Sequence, residues 1–456
     1  MAIGAVLEPL VVVTLLFGGA WINRATDYIF ANHSSRWRNK SPKSEGVEVG
    51  EDKYDEHSIK PLSSKNRSLS PSLLPSQEQK WRPRHLHLLG WSKTVETPNT
   101  AVFKNRLLSR ILHKFPFLVE AWYWALIYWV YQVGRAFTAL TIVEGTVNVA
   151  RKHALQVIAV EQRLHIFWEV PIQRFFMGYP TLMRYINWLY SFIHIPGTIA
   201  FLVWLFYYTI TSNRLVQHRS GEVNGTVQGS PSGPWLYEAR RRTMATCNLM
   251  AFIVFTLWPC MPPRLLSDEE VSGEVGDLAR SFGFVDTVHG ADGAASVWTA
   301  NKFCNQWAAM PSLHFGYALL VGLTVMTIPL APQHRRSRSV QLPFFNQSHP
   351  ELAPQFKLPS RRRMLCLSVG FAYPLAILVA IVSTANHFIL DAVAGAAICA
   401  IGWRINGVLL NLLPVEDWFL WCLRMHKPAM EAVEVPDFDV PDYDEAKVRA
   451  GVLYQE

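Results

Sequence analysis

A histidine and an aspartate stand four residues apart in Asn386-His387-Phe388-Ile389-Leu390-Asp391, at the opening of an otherwise apolar segment. On a helix that spacing stacks the two side chains on one face, one turn apart. An ionisable pair at the edge of a hydrophobic span is expensive to place, which marks it as a functional-site candidate. A second histidine, His314 in Met310-Pro311-Ser312-Leu313-His314, holds the same place at the mouth of another apolar segment. Arg264 closes a third, in Trp258-Pro259-Cys260-Met261-Pro262-Pro263-Arg264.

This set of residues suits phosphoryl transfer. Arg264 offers a planar fork for phosphate oxygens. Ser312 and the free backbone N–H groups at a helix mouth add donors, and a helix N-terminus favours an anion. His387 backed by Asp391 is a base held in one tautomer, a usable nucleophile. His314, arriving from another segment, is then free to protonate a leaving oxygen, a role that typically contributes roughly 10²–10⁴-fold. Singly, each residue has an ordinary reading: a capping or snorkelling histidine, an interhelical aspartate, an interfacial arginine. Convergence on one face is what favours chemistry. His314, His387 and Asp391 also form a ligand set for a metal, but a fourth ligand is not evident and an arginine adjoins them. Neither metal nor cofactor is expected.

Bringing these residues together calls for a membrane. Half of the 456 residues are hydrophobic, with 17 Trp and 25 Phe, and they come in blocks. A span needs about 20 mostly apolar residues. Seven stretches qualify: 3–22, 116–134, 185–210, 243–260, 311–331, 364–384 and 387–411. The last two are joined by almost nothing and read as a tight helical hairpin. The first is not preceded by a positive charge, which favours a retained anchor over a signal peptide. Between spans, Glu161 to Glu169 alternates charge with bulky apolar groups, as in a helix lying in the membrane interface or a soluble connector helix. Residues 31–103, rich in Ser, Pro, Lys, Arg and Glu, read as a disordered linker. The expected organisation is an anchor at 1–30, a cytosolic linker at 31–103, a six-span catalytic domain at 104–413 and an acidic cytosolic tail at 414–456.

The formal charge of +8 does not point to nucleic acid, because the basic residues cluster in connectors between apolar blocks. Connector 332–363 holds seven Lys/Arg and one Glu, whereas 265–302 holds seven Asp/Glu against two Lys/Arg. The positive-inside bias therefore puts 104–114, 211–242 and 332–363 in the cytosol. The mouths carrying His314 and His387 then face the opposite side, and the C-terminus is cytosolic. Acceptor patterns at Asn32, Asn66, Asn224 and Asn346 all fall on the cytosolic side, so none is expected to carry glycan. Cys260 and Cys304 fall on the outer side, each just before a motif; there they are a candidate disulfide, the alternative being two free thiols.

Pro311-Ser312-Leu313-His314 and His387-x-x-x-Asp391 resemble the second and third signatures of the type 2 phosphatidic acid phosphatase superfamily. Pro262-Pro263-Arg264, Gly283-Phe284-Val285-Asp286-Thr287 and Asn386 are more similar to its inositolphosphotransferase branch, which includes the inositol phosphorylceramide synthases. The resemblance covers about 116–412. It implies an all-α polytopic protein with a six-helix core, here preceded by one N-terminal transmembrane helix. It also implies a metal-independent, two-step reaction with a phosphohistidine on His387. By the same resemblance Asp391 orients that histidine, His314 protonates the leaving alcohol, and Ser312 and Arg264 hold the phosphate. Three departures bear on the activity. Only Arg264 stands for the Lys and Arg-Pro of the first signature. Ile381 stands where the third carries an arginine, and Leu313 replaces the glycine before the second-motif histidine. This thinner clamp fits the transferase branch better than a monoester phosphatase.

The expected activity is transfer of a phosphoryl-alcohol head group from a membrane phospholipid to a lipid alcohol such as ceramide. The expected setting is the lumenal face of the Golgi or endoplasmic reticulum. Two rivals remain: a lipid phosphate phosphatase using water as acceptor, and a non-catalytic transporter or scaffold with the same fold.

Overall fold

The computed structural model describes residues 2–26, 80–88, 90–141, 145–215, 231–268, 271, 273–287, 307–331, 334, 338–341 and 355–428. The apolar blocks fold as helices. The N-terminal block is α1 (Ala2–Ile22), the aromatic block is α3 (Phe117–Thr141), and the short α2 (Leu107–Lys114) precedes it. After α4 (Thr146–Arg163) and α5 (Glu169–Met177), α6 (Pro180–Trp188) runs through a π-helical turn at Leu189–Ile193 into α7 (His194–Phe206). Then come α8 (Pro234–Leu257), the short α9 (Glu274–Ser281), α10 (Leu313–Thr327), α11 (Arg361–Ser383), α12 (Ile389–Ile405) and α13 (Leu413–Cys422).

Among the described residues, three helical stretches are long and apolar enough to cross a membrane: His194–Leu215, Arg361–Ser383 and Ile389–Cys422. Pro9–Ile22, Phe117–Val130 and Leu313–Thr327 are shorter apolar helices. Helix α8 carries Arg240, Arg241 and Arg242 within its first half. Arg241 there donates to both oxygens of the fully buried Glu120 of α3 at 2.7 and 2.6 Å, which satisfies a charge that burial alone would not tolerate. Outward faces are apolar, with Leu257 77 % and Phe371 63 % exposed, as lipid-facing positions require.

The core lies between α7, α8, α10 and α12, around Leu202, Leu205, Phe206, Tyr237, Leu320 and Cys399. Phe206 sets its ring edge-on to both Phe117 and Tyr237, joining α3, α7 and α8. Helix α10 packs most extensively on α11 and then on α12. Gly322 and Gly370 mark the first crossing: a Cβ on Gly370 would lie 2.6 Å from the Gly322 carbonyl oxygen.

Several sequence expectations are corrected. Residues 31–103 are not all linker. Strands β1 (Trp81–Leu88) and β2 (Trp91–Pro98) form an antiparallel hairpin, turning at Gly90 with φ of 85°. The hairpin is fixed from far away in sequence. Arg84 makes two hydrogen bonds to Asp417 of α13 at 2.7 and 2.9 Å, and Thr97 donates to the same carboxylate at 2.8 Å. The segment from 414 therefore begins as a docked helix rather than as tail. The stretch from Glu161 to Glu169 is not one helix; α4 ends at Arg163, His165 takes φ of 58°, and α5 starts at Glu169. A second hairpin, β3 (Arg338–Gln341) with β4 (Gln355–Leu358), lies in the basic connector, so the largely helical chain is not purely α.

Candidate active site

The site is assembled where α10 and α12 begin. Their first turns touch through glycine: a Cβ on Gly395 would collide with the carbonyl oxygen of Ser312, and one on Gly316 would lie 3.0 Å from that of Gly395. The small-residue run after Asp391 thus serves close helix approach. The Ser312 N–H donates to the Asp391 carbonyl at 2.9 Å, locking the two mouths together. As a result the rings of His314 and His387 lie 5.6 Å apart, centroid to centroid.

His387 is buried, and its Nδ1 meets the carbonyl oxygen of Ala309 at 2.8 Å. A carbonyl only accepts, so Nδ1 carries the proton and Nε2 holds the free lone pair. The Asp391 carboxylate lies 3.5 Å from Nδ1, behind the ring, and its Oδ2 accepts from the Phe388 N–H at 2.9 Å. Asp391 is therefore a cap of α12 as well as the charge beside His387, and Ala309 supplies the closer contact. Ala309 is itself fixed by a parallel bridge: its N–H donates to the Cys260 carbonyl at 3.0 Å, and the Cys260 N–H donates to Trp307 at 2.9 Å.

His314 is held by rings. Tyr190 stacks on it at 4.8 Å, and His194 lies 4.9 Å away on the other element of the same helix. Tyr190 lies in the π-helical turn and His194 directly follows it, and such turns are frequent at functional sites. Tyr373 of α11 reaches Nδ1 of His194 at 3.3 Å.

Arg264 joins the same end of the molecule. Its N–H donates to Ala385 at 2.8 Å, its Nε donates to Asn386 at 2.9 Å, and its Nη1 pairs with Asp286 at 3.0 Å. The Asp286 segment is pinned from both sides, by Gln173 to Val285 at 2.7 Å and by Asn187 to Thr287 at 3.1 Å. Ser312 is fully buried, and its hydroxyl caps α10 by accepting from Phe315 at 3.4 Å.

All five expected site residues thus stand at one end of the helices. Cys260 carries a free, buried thiol. Cys304 lies outside the described residues, as do Asn32, Asn66, Asn224 and Asn346. A backbone bridge between Cys260 and Ala308 ties the Arg264 segment to the His314 segment. Among the described residues, no group of three or more His, Cys, Asp or Glu stands ready to hold a metal ion. Sequence reasoning missed His194, Tyr190, Tyr373 and Ala309. His194 was within reach, because it too is a histidine entering an apolar helix; a backbone carbonyl leaves no signal.

This geometry coincides with a family match. The model of the PAP2 superfamily matches residues 155–217, 232–341 and 357–405, which contain every one of these side chains. The match supports the type 2 phosphatidic acid phosphatase superfamily, a membrane fold whose members are generally phosphatases or phosphotransferases. A membrane-embedded, lipid-acting enzyme fits that superfamily. No curated protein and no solved structure matches it.

Proposed function

We propose that the protein is a lipid phosphotransferase that moves a phosphoryl-alcohol head group, of the inositol-phosphate type, from a phospholipid to a lipid alcohol such as ceramide. The observation that carries this reading is the hydrogen bond from His387 Nδ1 to Ala309, which leaves Nε2 as the nucleophile 5.6 Å, ring to ring, from a second histidine. In the first step Nε2 attacks phosphorus, the bond to diacylglycerol oxygen breaks, and His314 gives that oxygen its proton. The head group then rides on His387 as a phosphoramidate, whose positive ring faces Asp391. In the second step His314 takes the proton of the acceptor hydroxyl, that oxygen attacks phosphorus, and His387 is released unchanged. Arg264 meets the phosphate oxygens, and Ser312 holds the helix mouth.

The charge asymmetry of the connectors supports a site on the non-cytosolic face with a cytosolic C-terminus. It also supports a six-span catalytic domain after an N-terminal anchor.

The test is purified protein given head-group-labelled phosphatidylinositol with and without ceramide. Label moving to ceramide, with little released to water, is the expected result. Release of inositol phosphate at the same rate with or without ceramide would mean that water is the acceptor. No turnover of any lipid, in protein that is folded, would leave the scaffold reading.

A further inference from the structure

Two glutamates outside the histidine site act on it through the backbone. Glu161 ends α4 and Glu169 begins α5, and the turn between them brings both carboxyls to the first turn of α12. Glu169 Oε1 accepts from the Ile389 N–H at 2.8 Å, and Glu161 Oε1 accepts from the Leu390 N–H at 2.8 Å. With Asp391 Oδ2 on the Phe388 N–H at 2.9 Å, three successive amides at the mouth of α12 are each met by a carboxyl oxygen from a different helix. These are the amides that directly follow His387.

Both glutamates are fully buried. The remaining oxygens, Glu161 Oε2 and Glu169 Oε2, are buried without a donor beside them. Two ionised carboxylates in that position would repel each other and each leave a buried lone pair unsatisfied, which is costly. One proton removes both problems, since a carboxylic acid donates to a neighbouring carboxylate. The electrostatics agree. Burial first, and then the charge of Glu169, push the Glu161 carboxyl up to about 9, and burial likewise raises Glu169. The other titratable groups that face the pair are Asp391 from α12 and the Cys260 thiol from the segment after α8.

We propose that Glu161 and Glu169 share one proton and, as an acid–carboxylate pair, position the first turn of α12 and hence His387. They are positioning residues, because neither touches the reacting atoms. Deprotonation of the pair sets two like charges against each other at the helix mouth and releases the amides of Ile389 and Leu390. The link to turnover rests on His387 being the nucleophile, whereas the link to the helix mouth does not.

The test uses the full-length protein in detergent micelles. Amide hydrogen exchange of a peptide spanning 388–391, corrected for the intrinsic pH dependence of exchange, is followed from pH 6 to about pH 10 beside lipid turnover. In the wild type, exchange should rise at least fivefold through about pH 9, with turnover falling in parallel. Glu161→Gln keeps the oxygen acceptor and supplies a permanent donor to Glu169, so its exchange should stay flat over the same range. Glu161→Ala should raise exchange at every pH. An infrared carboxylic-acid band present at neutral pH in the wild type and lost in Glu161→Gln would report the shared proton directly. Identical alkaline profiles for the wild type and Glu161→Gln overturn the proposal, and so does the absence of that band. If no lipid is turned over, the functional reading fails, and exchange and the infrared band still decide this one.

Discussion

His387 Nδ1 donates to the carbonyl of Ala309 at 2.8 Å, closer than the 3.5 Å that separates it from the Asp391 carboxylate. A backbone carbonyl only accepts, so in the neutral ring the bond puts the proton on Nδ1. That leaves Asp391 capping α12 and, in the proposed reaction, facing the positive charge that would form when Nε2 bonds to phosphorus.

The two tasks separate by substitution. Asp391→Asn keeps an oxygen for the Phe388 N–H but loses the charge, so turnover should fall roughly 10–100-fold with little change in thermal midpoint. Asp391→Ala leaves that buried amide without a partner, at about 1–3 kcal/mol, so it should lower the midpoint as well. Thermal unfolding in detergent beside lipid turnover checks both. Equal activity in Asn and wild-type protein would remove the charge from the mechanism.

In the proposed reaction His314 is the acid and not the nucleophile. His314→Ala should lower turnover of a diacylglycerol-leaving donor by roughly 10²–10⁴-fold. With a donor carrying a nitrophenol-type leaving group, which departs unprotonated, the loss should shrink to a few-fold. Parallel kinetics on the two donors measure the difference, and equal losses would take His314 out of that role.

The histidines were legible in the sequence because a membrane span makes an ionisable residue conspicuous. At His314, His387 and Asp391, residue type against an apolar background was joined by the four-residue spacing of His387 and Asp391 and by the resemblance of both segments to family signatures. The helical blocks were legible for the same reason, apart from boundaries such as α8, which begins at Pro234 with its arginines inside the helix. What escaped depends on partners distant in the chain. The hairpin at Trp81–Pro98 looks like linker because its anchor, Asp417, is more than 300 residues away. Glu161 and Glu169 read as one amphipathic run, since nothing local shows that the chain turns at His165 to present both to α12. Ala309 acts through its backbone, and a backbone carbonyl is the same in every residue.

The glycine contact between α10 and α12 makes a sharper prediction. Gly395→Val places atoms against the Ser312 carbonyl and forces the two mouths apart, with overpacking costing about 1–3 kcal/mol. Turnover should drop more than tenfold while helix content by circular dichroism is kept. Gly407→Ala, which has open space around its Cβ position, should leave both unchanged. Normal turnover in Gly395→Val would mean that the histidine spacing does not depend on this crossing.

In the proposed reaction Asp286 would compete with phosphate for Arg264. The guanidinium is already engaged by Asn386 at 2.9 Å and by Asp286 at 3.0 Å, and the Asp286 side chain is 24 % exposed. A phosphate drawing on the same fork must share it with that carboxylate, which repels the incoming anion. Asp286→Asn keeps an acceptor for Nη1 and removes the repulsion, so vanadate should inhibit about 3–10-fold more tightly. Arg264→Lys loses the planar fork, and turnover should fall by roughly 10²-fold with weaker vanadate binding. Vanadate titrations and KM for the phospholipid, measured on both variants, check the pair. If Asp286→Asn instead raises KM and leaves vanadate inhibition unchanged, the carboxylate contacts the head group and is not a counter-charge to the clamp.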